Sequence, residues 1–120
     1  MPFRETLQSM VENVGGGIGA IIMGYDGIAI DEFLAQNVHY DMPLLAVEYS
    51  NLLKDIKKTV DVLQGGAMEE VSFSTALLRV VTRPITDEFF LMLVLEKEGN
   101  FGKARFLLRR DAPRFVASLS

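Results

Sequence analysis

Residues 15–20, GGGIGA, match the pattern G-x-G-x-x-G/A, which in many proteins binds the pyrophosphate of a dinucleotide. That chemistry needs a strand before the glycines and a helix after them, because the amides and the dipole at the helix start hold the phosphates. Here the order is reversed: residues 3–14 have helical periodicity, and the residues after the glycines are rich in β-branched side chains. We therefore expect the glycines to end a helix and open a strand, with no cofactor bound there.

The residue types that carry catalysis are few and scattered. His39 is the only histidine and cysteine is absent, so no partner for a His or Cys metal site is present. Three acidic pairs occur: Asp31-Glu32, Glu69-Glu70 and Asp87-Glu88. Adjacent side chains on a strand point to opposite faces, so none of the pairs forms a two-carboxylate site. We expect a solvated loop position for His39, no catalytic or metal site, and a protein that is not an enzyme.

Composition limits the class of partner. The chain has 120 residues, is 49% hydrophobic and has a net charge of -4. This length suits one domain, over residues 1–120, and the acidic balance argues against nucleic acid as the main partner. No apolar run approaches the roughly 18 residues of a membrane span, so we expect no membrane insertion. The absence of cysteine agrees with a cytoplasmic location.

The elements that surround the glycines follow from local patterns. Residues 3–14 form a short amphipathic helix, and the next residues, IGAIIMG, are apolar on both faces, as in a central strand covered on both sides. Asp26-Gly27 tolerates the positive φ angles of a type I′ turn, which predicts a hairpin with a second, more exposed strand. The following residues, AQNVHYDMP, are interpreted as a loop.

The longest helix runs from residue 42 to residue 63. Asp41 is suited to cap it, and Gly65-Gly66 ends it. A nearly heptad seam follows the helix: Leu45, Tyr49, Leu52, Ile56, Val60 and Leu63. Further apolar residues widen this surface: Leu44, Val47, Leu53 and Val62. The width indicates two packing partners, the chain's own sheet and a second subunit.

Three strands and a last helix complete the chain. The strands are EEVSFST, ALLRVVTRPI and FFLMLVLEK, and the final segment is GNFGKARFLLRRDAPRFVASLS. Pro113 interrupts that segment, so we expect either a kink near Arg109 or Arg110, or a second short helix capped by Asp111. The predicted order is helix, two strands, helix, three strands, helix.

With this order, the chain resembles the Roadblock (dynein light chain) family, in particular its bacterial, MglB-like regulators of small GTPases. The likeness lies in GGGIGAIIMGYDGIAI, in residues 42–64 and in GNFGKARFLLRRDAP, where Gly102 and Arg105 occupy matching places. The resemblance implies a Roadblock/profilin-like α/β (α+β) fold: a five-stranded antiparallel sheet with the long helix on one face and the terminal helices on the other.

The resemblance also implies a homodimer, or a heterodimer with another Roadblock protein, and a Ras-like small GTPase as partner. Sheets of two subunits would join edge to edge through EEVSFST, beside paired long helices. The expected dimer contacts are Leu45, Tyr49, Leu52, Ile56, Val71 and Phe73. The expected partner contacts are Glu48, Asn51, Lys54, Asp55 and Lys58. Two alternatives remain open: an adaptor subunit of a motor or signalling complex without GTPase contact, and a small-molecule sensor.

Overall fold

The computed structural model describes residues 3–35 and 40–119, so His39 and the neighbouring residues 36–38 of its predicted loop lie outside the described residues. The predicted order of elements is confirmed. The helices are α1 (Phe3–Val14), α2 (Met42–Leu63) and α3 (Phe101–Leu119). The strands are β1 (Gly17–Gly24), β2 (Ala29–Leu34), β3 (Val71–Ser74), β4 (Leu78–Pro84) and β5 (Phe89–Glu96).

The five strands form one antiparallel sheet in the order β2-β1-β5-β4-β3. Strands β1 and β5 are central, and almost all of their residues are buried. Successive side chains of β1 enter two different cores: Ala20 and Ile22 pack under α1 and α3, whereas Ile21 and Met23 pack under α2. The predicted placement of α2 on one face and the terminal helices on the other is therefore confirmed.

The glycines that follow α1 serve the passage from helix to strand. Gly15 and Gly16 have φ angles of 83° and 81°, and their carbonyls accept hydrogen bonds from the amides of Asn100 and Glu96 at 3.0 and 2.8 Å. A Cβ on Gly17 would collide with the carbonyl of Val11. The predicted order of helix, glycines and strand is confirmed. Glycine is needed here because the backbone has positive φ angles at two positions and approaches another carbonyl closely at the third.

Helix α3 continues through Pro113, so the expectation of a second short helix capped by Asp111 is wrong. Asp111 is buried inside α3, and its carboxylate accepts bonds from Arg110 at 3.0 and 3.1 Å. Proline removes one helical hydrogen bond, but Leu108 and Phe115 on either side of it are both anchored in the same core. Tertiary packing therefore holds both halves in one helix.

The hairpin between β1 and β2 is confirmed, but the type I′ turn is wrong. The amide of Gly24 donates to the carbonyl of Ile28 at 3.0 Å, which leaves a three-residue connection. Within it only Gly27 has a positive φ, 87°, whereas a type I′ turn needs two such residues. Asp26 stabilises the turn through its side chain, which accepts from the amide of Ile28 at 3.0 Å.

We expect Gly27→Val to lower the free energy of unfolding by about 1–3 kcal/mol, because a β-branched residue is strained at this φ. Space is not the cause: the nearest atom to a Cβ there is Ser50 Oγ at 3.7 Å. Gly65→Val is the matched control, since nothing lies within 4 Å of its Cβ position. Urea unfolding measures both variants, and equal losses would show that the turn does not require Gly27.

Candidate protein-interaction site

Both ends of α2 are defined by local hydrogen bonds. The Asp41 carboxylate accepts from the amide of Leu44 at 3.0 Å, and Pro43, which has no N–H to satisfy, occupies the first turn. At the other end Gln64 adopts a left-handed conformation, with φ 52°, and its amide donates to the carbonyl of Asp61 at 3.2 Å. The predicted cap and the predicted bounds of 42 and 63 are confirmed.

Tyr49 connects α2 to the edge strand β3. Its side chain is only 3% exposed, and its ring meets that of Phe73 edge-on with 5.4 Å between centroids. Its hydroxyl donates to the carbonyl of Val71 at 3.3 Å. Burial raises the pKa of the Tyr49 hydroxyl above the ordinary value of 10.0, so the group remains a donor at neutral pH. The Tyr49 contact thus orients α2 over the sheet.

The buried side of α2 differs in part from the predicted seam. It is formed by Met42, Ala46, Tyr49, Ser50 and Leu53. Of the predicted seam, Tyr49 is in this core, Leu45 and Ile56 are half-buried, and Leu52 is 50% exposed. Leu45, Leu52 and Ile56 lie together on one side of α2, which we call the apolar flank.

The apolar flank lies on the same side of α2 as β3. Leu45 and Phe73 both pack against the core under α2, and Tyr49 contacts β3 directly. Strand β3 pairs with β4 only, and its other edge is unpaired in the part of the chain that the structure describes. Val71 and Phe73 face the core under α2, whereas Ser72 and Ser74 are exposed on the opposite face.

The five predicted partner contacts on α2 are all exposed: Glu48, Asn51, Lys54, Asp55 and Lys58. Helical spacing of three and four residues places Glu48, Asn51, Asp55 and Lys58 on the side away from the sheet. Within the described ranges none of these side chains forms an ion pair. We call the five residues the polar face. It combines both signs of charge with Leu44, which is 57% exposed.

A cavity of about 630 Å³ opens near the C-terminal end of α2, and Tyr25, Lys57 and Asp87 are among its lining residues. The Lys57 ammonium lies 5.0 Å from the centre of the Tyr25 ring and donates to the Asp87 carbonyl at 3.1 Å. The Lys57 ammonium at this cavity therefore already has partners within the protein. Across residues 3–35 and 40–119 there is no group of three metal-ligating side chains and no helix suited to span a membrane.

Solved structures share this architecture. The Roadblock/LC7 domain from Streptomyces avermitilis superposes with a TM-score of 0.84 at 13% identity, covering 96% of this chain and 95% of that chain. Myxococcus xanthus MglB superposes with a TM-score of 0.84 at 9% identity, covering 99% and 98%. The protein therefore has the Roadblock/LC7 fold, as the resemblance implied.

MglC from Myxococcus xanthus is similar in sequence as well. It is 37% identical, with a TM-score of 0.72, and the alignment covers 98% of this chain and 99% of that chain. The chain belongs to the Roadblock/LC7 family and is an MglB/MglC-like member of it. Neither the comparison with family models nor that with curated proteins gives a match.

Two adjacent leucines test the orientation of α2. Leu53→Ala should lower the free energy of unfolding by about 2–5 kcal/mol, because Leu53 is fully buried. Leu52→Ala should cost less than about 0.5 kcal/mol in dilute protein, because the side chain is half exposed. Urea unfolding is repeated at decreasing protein concentration until the midpoint is constant. If Leu52→Ala lowered the free energy of unfolding more than Leu53→Ala at that limit, this orientation of α2 would be wrong.

Proposed function

We propose that the protein is a non-enzymatic, dimeric scaffold that binds a Ras-like small GTPase and changes the balance of its nucleotide states. The observation that carries the proposal is the arrangement on α2, where an exposed polar face adjoins a half-exposed apolar flank beside an unpaired strand edge. In a Roadblock chain these features are suited to two successive contacts, first with a second subunit and then with a partner.

The apolar flank and the edge of β3 are the proposed dimer contact. An unpaired strand edge exposes backbone donors and acceptors, and pairing with a second β3 satisfies them. The same pairing brings Leu45, Leu52 and Ile56 of two subunits together, which removes apolar surface from water. Tyr49 supports this contact from within the subunit, because it fixes the position of α2 relative to β3.

The polar face is the proposed GTPase contact. Paired α2 helices present two copies of Glu48, Asp55 and Lys58 on the side of the dimer away from the sheets, and Lys54 is exposed at the margin of this surface. A partner of this kind needs no catalytic residue of its own. If its contacts are more favourable to one arrangement of the GTPase switch loops, binding shifts the population toward that arrangement.

The expected result is binding that depends on nucleotide. Each Ras-like GTPase encoded in the same genome is loaded with GDP or with a non-hydrolysable GTP analogue and titrated with the protein. For one GTPase the two dissociation constants should differ at least tenfold, or about 1.4 kcal/mol. Lys54→Glu with Lys58→Glu should weaken this binding, because it reverses charge on the polar face while leaving the apolar flank intact.

The control is Lys97→Glu with Lys103→Glu, which makes the same change of charge at exposed positions outside α2. It should leave binding within about twofold. Equal affinity for both nucleotide states would contradict GTPase modulation. Failure of every GTPase to bind would favour the alternative, an adaptor subunit without GTPase contact, while binding that survives the Lys54 and Lys58 changes would exclude the polar face as the contact.

A further inference from the structure

Helix α3 is strongly basic although the chain is acidic. It carries Lys103, Arg105, Arg109, Arg110 and Arg114, all exposed. Its one acidic residue, Asp111, is buried and bonded to Arg110. The chain as a whole has a net charge of -4, so this concentration of positive charge is local. It lies on the face of the sheet opposite α2.

A groove of about 410 Å³ lies between the C-terminal half of α3 and the end of β4. Two arginines line it, Arg83 and Arg109, together with Ile85, Ala112, Pro113 and Ala117. Arg105 and Arg110 are paired with Glu70 and Asp111, but neither Arg83 nor Arg109 has an ion pair among residues 3–35 and 40–119. The groove thus combines an apolar lining with two unpaired guanidinium groups.

Pro113 interrupts the backbone hydrogen bonding of α3 at the same groove. Proline has no N–H, so the carbonyl of Arg109, four residues earlier, lacks its ordinary helical donor. Arg109 and Pro113 both line the groove. Phe106, 58% exposed and seven residues before Pro113, extends apolar surface along the same side of α3.

We propose that this groove binds an acidic peptide segment of a partner protein, anchored by a large apolar side chain. Charge complementarity identifies the occupant: carboxylates match the two free guanidinium groups, and the lining of Ile85, Pro113 and Ala117 accepts an apolar side chain. Because the lining is apolar as well as basic, it favours a peptide that carries both kinds of side chain over a lipid headgroup, which supplies charge alone. The site does not depend on α2, so a subunit that binds a GTPase there has this second surface free.

The test starts with a library of random dodecapeptides selected on the immobilised full-length protein. Selected peptides should contain Asp or Glu around one large apolar residue. Arg83→Glu with Arg109→Glu should weaken binding of a selected, fluorescein-labelled peptide at least tenfold, equivalent to about 1.4 kcal/mol. Lys97→Glu with Lys103→Glu, the matched control, should leave it within twofold, and GTPase binding should be unchanged by the arginine variant.

Selected peptides without acidic residues would overturn the proposal, as would binding that persists in the arginine variant. Binding to vesicles of phosphatidylserine and phosphatidylcholine tests whether the negative charge at the groove comes from a lipid headgroup instead of a peptide. Vesicle binding that requires Arg83 and Arg109, without any peptide that requires them, would assign the groove to a membrane surface and reject the peptide. Failure of every GTPase to bind would reject the proposed function and leave this inference standing, because peptide binding is measured separately.

Discussion

The contact between Tyr49 and β3 determines which side of α2 faces the sheet. Its ring lies edge-on to Phe73 and its hydroxyl binds the carbonyl of Val71, so one residue joins the long helix to the strand at the sheet edge. Because Tyr49 is buried against the sheet, Leu53 is also buried there and Leu52 lies on the apolar flank. The polar face and the apolar flank are consequences of this rotation of α2, and the proposed dimer and partner contacts both depend on it.

Burial of β1 and β5 on both faces explains the rest of the architecture. Their alternating side chains must be covered twice, once by α2 and once by α1 with α3. The two coverings leave two separate outer surfaces. One belongs to α2 and carries mixed charge, and the other belongs to α3 and is basic. The protein therefore has two chemically distinct outer faces.

Local signals predicted much of this structure. Asp41 as a cap, Gly65-Gly66 after the helix end and Asp26-Gly27 in the hairpin each act over a few residues, so they can be read from sequence. The rotation of α2 could not be read in the same way, because apolar residues cover more than half of its circumference. Leu52 and Leu53 are equivalent by type, and only the contact of Tyr49 with a strand 22 residues later distinguishes them.

The features missed by sequence reasoning depend on distant parts of the chain. Two outcomes were open at Pro113, a kink or a division of α3, and the helix is not divided because burial of Leu108 and Phe115 in one core outweighs the lost hydrogen bond. Arg83 and Arg109 meet at one groove although they lie on different elements. The excess of Lys and Arg in the final segment was the only signal for that groove in the sequence, and it did not identify β4 as the other wall.

The most direct test of the account is the distance between the two α2 helices in solution. The chain has no cysteine, so Leu52→Cys and, separately, Glu12→Cys on α1 can each carry one spin label. Packed helices have axes about 8–10 Å apart, and side chains extend each helix to a diameter of about 10–12 Å, so labels at position 52 should lie within about 30 Å of each other. Labels at position 12 should be farther apart, because α1 covers β1 and β2 rather than β3. A chain without dipolar coupling at position 52, or with the shorter distance at position 12, would contradict pairing through α2.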